Sequence, residues 1–244
     1  MTTVDFATFC CTKDIDRLHA PGVLEASVNS HRYQFDNVIV IHQRCSDKLF
    51  NKSSLSNVRI VTINNYQVDN ILTDFNINPV NPLGDELTHG PTAPHYWKWH
   101  VINHLTALRN STSDYIVFSD ADCYIKEQGE RSWIDIGIDL LKRYRDILII
   151  SPSDGGFMHE AKTPEGYRLT QNISQQMFLC ERSRFINEVN FDEYWDGNMD
   201  AVGGPFQEYY NLLEGRLWRY MRPRGLWRCI LPTDIVRYWH DGWH

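Results

Sequence analysis

Nothing in the 244 residues approaches the roughly 20 consecutive apolar residues that a membrane-spanning helix needs, and Met1-Thr2-Thr3-Val4-Asp5 lacks the basic start of a signal peptide. A cytoplasmic protein is the expectation. Long basic runs are missing too. The positive clusters are as short as Lys142-Arg143-Tyr144-Arg145 and Arg222-Pro223-Arg224 and the formal net charge is −7, which speaks against a nucleic-acid groove. A small polar substrate suits such a chain better. The six cysteines, at positions 10, 11, 45, 123, 180 and 229, form no CxxC pair and mostly lie within apolar runs. They read as reduced core residues. The sequence also contains no internal repeat and no low-complexity segment.

Aromatic residues are plentiful. Eight tryptophans are present, and clusters occur in His95-Tyr96-Trp97-Lys98-Trp99-His100, in Tyr194-Trp195 and from Tyr238 to His244. Most such residues belong to cores or interfaces, but a flat apolar face with a polar edge is also what a sugar ring packs against. Strand-like runs span Val4 to Cys11, Asn37 to Gln43, Val58 to Asn64, Tyr115 to Ser119 and Ile147 to Ser151. Their alternation with helical patterns or loops predicts one α/β domain with a mainly parallel central sheet flanked by helices. A helix is predicted over Gly22 to Tyr33, with Val23, Ala26, Val28 and Tyr33 inward. Another is predicted over Thr92 to Arg109, with Trp97, Val101, Leu105 and Leu108 at helical spacing. Val68 to Gly90, rich in Asn, Asp, Pro and Gly, reads as a long loop, and Ser151 to Gly166 as a second irregular stretch. Beyond these the pattern predicts a strand over Gln175 to Cys180, short helices over Arg182 to Val189 and Gln207 to Glu214, and a last strand over Ile235 to Trp239.

The chemistry concentrates where Tyr115-Ile116-Val117-Phe118 runs into Asp120-Ala121-Asp122. A buried strand that stops on two carboxylates delivers them to the carboxyl end of the sheet, where open α/β sheets bind ligands. Charge so placed needs a partner, and a divalent cation supplies one. The other triplet, Asp14-Ile15-Asp16, reads as solvated surface. Two carboxylates, an imidazole and a diphosphate make a natural site for Mn²⁺ or Mg²⁺, with Mn²⁺ more tolerant of a nitrogen ligand. His240, just after the last apolar strand and before Gly242, is the candidate imidazole. His100 and His104 share the spacing of a zinc pair, but the Glu of an HExxH base is missing, so they read as structural or phosphate-facing. For a general base that takes the proton of an attacking hydroxyl, Glu208 is the candidate, at the helix start after Gly203-Gly204-Pro205, with Asp200 as the substitute. A Glu in the first helical turn also simply complements the helix dipole.

Together Asp114-Tyr115-Ile116-Val117-Phe118-Ser119-Asp120-Ala121-Asp122, the helix Tyr96 to Leu108 ahead of it, the acceptor-like stretch Arg184 to Glu193 followed by Gly203 to Gly215, and His240 resemble the nucleotide-sugar-dependent glycosyltransferases of the GT-A fold, with their DXD motif. The resemblance implies a single Rossmann-like domain whose residues 1–125 bind the nucleotide sugar and whose residues 126–244 bind the acceptor. It further implies that Asp120 contacts the ribose or the metal, and that Asp122 and His240 ligate the metal. Cys11, Thr12 and Lys13 with Asn64 and Asn65 would surround the base, and Lys98 is placed with the donor-binding residues. The expected substrates are a nucleoside-diphosphate sugar carrying a hexosyl or pentosyl group and a glycan or other hydroxyl acceptor. Inversion is favoured over retention, although Pro205-Phe206-Gln207-Glu208 stands where inverting members usually carry a Glu-Asp pair. Two rivals remain open: a sugar-nucleotide pyrophosphorylase, whose Gly-rich phosphate loop should follow the first strand although no Gly precedes Gly22, and a non-catalytic carbohydrate-binding protein.

Overall fold

The computed structural model describes residues 2–10, 22–43, 54–78, 96–120, 123–152, 161–174, 176–192 and 213–240. Its first half is built from β1 (Val4–Cys10), α1 (Val23–Asn29), β2 (Asn37–Gln43), β3 (Val58–Ile63), α2 (Asn65–Asp74), α3 (Tyr96–Asn110) and β4 (Tyr115–Asp120). The second half adds β5 (Cys123–Glu127), α4 (Trp133–Arg143), β6 (Ile147–Ser151), β7 (Ala161–Lys162), β8 (Arg168–Thr170), β9 (Met177–Glu181), α5 (Arg182–Asn187), α6 (Leu213–Met221), a 3-10 turn at Arg222–Arg224, β10 (Trp227–Ile230) and β11 (Val236–His240). Nine strands form one sheet in the order β3-β2-β1-β4-β9-β6-β10-β8-β7, while β5 and β11 pair as a separate ribbon. Within the large sheet β1 to β4, β6 and β10 share one direction, and β9 and β8 run against them. The fold is therefore mixed α/β with a mostly parallel central sheet flanked by helices.

Period-two alternation sorts the strand side chains onto two cores. Ala7 and Phe9 of β1, Ile39 and Ile41 of β2, and Ile116 and Phe118 of β4 face α2, α3, α5 and α6. Val4 and Phe6, Val38 and Val40, and Tyr115 and Val117 face α1, α4 and the β5–β11 ribbon. Helix α4 starts on a Ser132 cap that accepts from the Ile134 N–H at 3.2 Å, and it buries Trp133, Ile134, Ile138, Leu140 and Leu141. Gly137 lets it approach the sheet closely, since a Cβ there would lie 2.7 Å from Leu179 Cδ2 and 3.2 Å from Ile150 Cγ2.

Two sequence expectations change. The loop read over Val68 to Gly90 begins instead as α2, and its part from residue 79 onward lies outside the described residues. The overlooked signal was the capping box, in which Asn64 Oδ1 accepts from Gln67 N at 3.1 Å and Gln67 Oε1 accepts from Asn64 N at 2.9 Å. Val68, Ile71, Leu72 and Phe75 then make a buried stripe. Each such side chain contributes about 1.5–3 kcal/mol on burial, which outweighs the roughly 0.7 kcal/mol per residue that Asn and Asp cost in a helix. Helix α1 is shorter than Gly22 to Tyr33, and it turns Leu24, Ser27 and Val28 inward while Ala26 is exposed. The late helix is described over Leu213–Met221, which includes the last two residues of the expected helix Gln207 to Glu214; residues 207–212 lie outside the described set. Cys123, Cys180 and Cys229 are buried free thiols, as expected of core cysteines. Burial raises the Cys180 pKa and pushes that of Cys229 up to about 12.

Candidate functional site

The strand order reverses between β1 and β4: the chain leaves β1 toward β2 on one side and returns to β4 on the other. Such a switch point opens a crevice at the carboxyl ends of the strands. Asp120 closes β4 at this point, directly across from Phe9, while Cys10 lies level with His42 of β2. Asp120 is half-buried, on the sheet face shared with Phe118 and α3. Its N–H donates to the Gln176 carbonyl at 2.8 Å.

The second element at this edge is the ribbon. β11 runs antiparallel to β5 with Trp239 across from Tyr124 and His240 across from Cys123. Cys123 follows Asp122 in the chain, so the backbone of His240 pairs with the residue next in sequence after Asp120-Ala121-Asp122. Gln176 ties the ribbon to β4: besides accepting from Asp120, it accepts through its side chain from the Tyr238 hydroxyl, which also lies 3.5 Å from Cys123 Sγ. The far end of β5 is fixed by a buried polar cluster. Glu127 Oε1 accepts from Ser132 Oγ at 3.0 Å, and Oε2 lies 3.8 Å from Arg32 Nε. Desolvation raises the Glu127 pKa. Trp133 Nε1 donates to His31 Nδ1 at 3.1 Å, and burial among Phe6, Phe35 and Trp133 lowers the His31 pKa to about 3. His31 is therefore neutral in the fold.

Some of the sequence-selected residues share one edge of the sheet, with β1 and β2 between the strand that carries Asp120 and the one that leads to Asn64. Asp120, Asn64 and Asn65 lie at the carboxyl edge of one parallel array, Asn64 as the α2 cap and Asn65 as its first residue. The capping bond from Gln67 N takes one of the two lone pairs of Asn64 Oδ1. Lys98 is in the first turn of α3, whose fifteen residues span about 22 Å and return to the amino end of β4. That connection puts the start of α3 toward the carboxyl edge. Thr12, Lys13, Asp122, Asp200, Glu208 and the Asp14-Ile15-Asp16 triplet lie outside the described residues, and for His240 the description is of the backbone. Among the described residues no group of three or more His, Cys, Asp or Glu could hold a metal. Two carboxylates and an imidazole, the donor types of Asp120, Asp122 and His240, are ligands that a divalent cation such as Mn²⁺ accepts.

The side chain of His100 is not among those described, and His104 sits in the core. Its ring is buried among Phe9, Phe118 and Phe178, with centroids at 4.3, 4.9 and 5.8 Å. Sequence reasoning missed Gln176, His42 and Glu127. His42 is buried with a ring nitrogen 3.0 Å from Thr62 Oγ1, and its signal is a lone polar residue at the end of an apolar strand. Gln176 has no sequence signal, because its role depends on two strands distant in the chain.

No helix among the described residues is long and apolar enough to cross a membrane. No protein-family model and no curated protein sequence matches the chain. Among solved structures it is similar to the crystal structure of S. aureus TarS residues 1–349, a glycosyltransferase, with 10% sequence identity and a TM-score of 0.49. The match covers 98% of this chain and 60% of that one, so the chain spans less than two thirds of the TarS structure.

Proposed function

We propose that the chain is a metal-dependent glycosyltransferase of GT-A type that moves a hexosyl or pentosyl group from a nucleoside-diphosphate sugar to a hydroxyl of a glycan or other acceptor. One observation carries the reading: Asp120 ends β4 at the switch point of a parallel sheet, and the β11 backbone at His240 pairs beside the residue that follows Asp122. Asp120, Asp122 and His240 would hold Mn²⁺ or Mg²⁺, which supplies charge neutralisation and a template for the diphosphate. Lys98, Thr12, Lys13, Asn64 and Asn65 orient the donor around this point. Glu208, or Asp200 in its place, takes the proton from the acceptor hydroxyl. That oxygen bonds to the anomeric carbon as the sugar–phosphate bond breaks, and the electron pair leaves on the nucleoside diphosphate. Attack from the face opposite the leaving group inverts the anomeric carbon.

Release of nucleoside diphosphate from a panel of nucleotide sugars, with and without Mn²⁺, tests the reading. Slow Mn²⁺-dependent hydrolysis of at least one of them is expected. A carbohydrate-binding protein releases none, and a pyrophosphorylase releases sugar phosphate when given pyrophosphate; either result overturns the proposal.

A further inference from the structure

The outer face of the β5–β11 ribbon carries features that the transfer chemistry does not use. Tyr124 and Trp239 are cross-strand partners with ring centroids 6.2 Å apart and planes inclined by 24°, and Trp239 is 46% exposed. It is the one exposed large hydrophobic residue among those described. The next rung on the same face pairs Lys126 with Arg237, both exposed. Neither has an ion-pair or hydrogen-bond partner among the described residues. Like charges directly opposite each other weaken a ladder, and an exposed tryptophan is costly in water. An unfavourable basic rung beside a stacked aromatic pair with an exposed tryptophan, at the Cys123 end of β5, describes a surface completed by a ligand.

We infer that this face binds an anionic glycan as the acceptor, one sugar ring lying on the Tyr124–Trp239 pair and an acidic substituent between Lys126 and Arg237. Same-face rungs lie two residues apart, about 7 Å, the reach from a sugar ring to the charged group of the same or the next unit. The apolar pair supplies a flat contact for the ring's C–H face and the cations supply charge complementarity. Single-stranded nucleic acid also combines stacking with cations, but it requires a basic groove that follows several phosphates, and the chain has a net charge of −7 with one basic rung here. As an acceptor site the inference rests on the glycosyltransferase reading; as a glycan-binding face it stands on the ribbon alone.

Native-gel affinity electrophoresis of the full chain tests it, with gels carrying dextran, dextran sulfate or polygalacturonate, and a parallel titration with oligouridylate. The wild type is expected to be retarded by the anionic polymers, more than by neutral dextran, and less as ionic strength approaches 0.15 M, where the Debye length is about 8 Å. Sulfate against carboxylate preference identifies the acidic group. Trp239→Ala should weaken retention about tenfold, Trp239→Phe should restore most of it, and Lys126→Ser with Arg237→Ser should abolish it. Nucleoside diphosphate release with Mn²⁺ should be unchanged in the Lys126→Ser/Arg237→Ser double variant. Equal retention of wild type and double variant, no effect of Trp239→Ala, or tighter binding of oligouridylate than of either anionic polymer overturns the inference. If retention behaves as expected but no nucleotide sugar is hydrolysed, the transferase reading fails while the binding face stands.

Discussion

The two ends of one sheet bury a carboxylate to different degrees. At the amino edge Asp5 is completely buried and accepts from Ser111 Oγ and Ser113 Oγ at 2.7 Å each, from Asn37 Nδ2 at 2.9 Å and from Thr112 N at 3.3 Å. At the carboxyl edge Asp120 is half-buried and ends its strand at the switch point. The connections differ accordingly. At the amino edge α3 passes to β4 through residues 111–114 and α4 to β6 through 144–146, whereas residues 11–22 leave the carboxyl end of β1 and 44–57 leave that of β2. A short connection can enclose a carboxylate in fixed donors, as residues 111–113 do for Asp5. The same residue type thus serves the fold at one end and, in our reading, the chemistry at the other.

The largest effect expected is at the carboxyl side. Glu208→Gln should lower turnover by about 10² to 10⁴ and leave nucleotide-sugar affinity nearly intact; steady-state kinetics beside donor titration separate the two. Unaltered turnover would move the base to Asp200. Next comes Asp5→Ala, which strands several buried donors and should cost about 3–5 kcal/mol, seen in denaturant unfolding, with donor affinity unchanged where the variant is folded. Asp120→Ala should give the mirror image, an Mn²⁺-dependent donor affinity about 100-fold weaker, or roughly 2.7 kcal/mol, with stability altered by about 1 kcal/mol or less. If Asp120→Ala unfolds the chain while Asp5→Ala loses the donor, the contrast between the two edges is wrong.

The smallest effect concerns the cluster that holds the ribbon. The folded His31 has a pKa near 3 and the unfolded one near 6.5, so below pH 6.5 the unfolded chain takes up a proton that the folded chain refuses. Stability is therefore lost as pH falls from 6.5 toward 3, by about 2 kcal/mol at pH 5. Glu127, with its pKa raised by burial, acts in the other sense, since its folded form holds a proton that the unfolded form releases. Comparison with His31→Leu isolates the histidine. The variant should be less stable at pH 7, having lost the acceptor for Trp133 Nε1, and its stability should fall less between pH 7 and pH 5. Parallel pH profiles would refute the assignment.

Much of this was legible in the sequence. β1, β2, β3, β4 and β6 announce themselves as apolar runs, and the placement of Asp120 follows from the end of Tyr115 to Phe118. Other parts were hidden for physical reasons. Helix α2 is masked by Asp69, Asn70 and Asp74, polar residues on the exposed side of a stripe that only packing reveals. Ribbon pairing between Cys123 and His240 is a contact between distant segments, which no local pattern encodes. Asp5 looked like an ordinary strand residue because its partners, Ser111 and Ser113, come from the far end of α3.

The central claim is that the acidic end of β4, with His240 beside it, binds a divalent cation and through it a nucleotide sugar. Calorimetric titration of a nucleoside diphosphate into the wild type and into Asp122→Ala, each with and without Mn²⁺, tests it most directly. The account predicts Mn²⁺-dependent binding in the wild type and none of that dependence in Asp122→Ala. Equal affinity in both proteins, or binding indifferent to Mn²⁺, would contradict it.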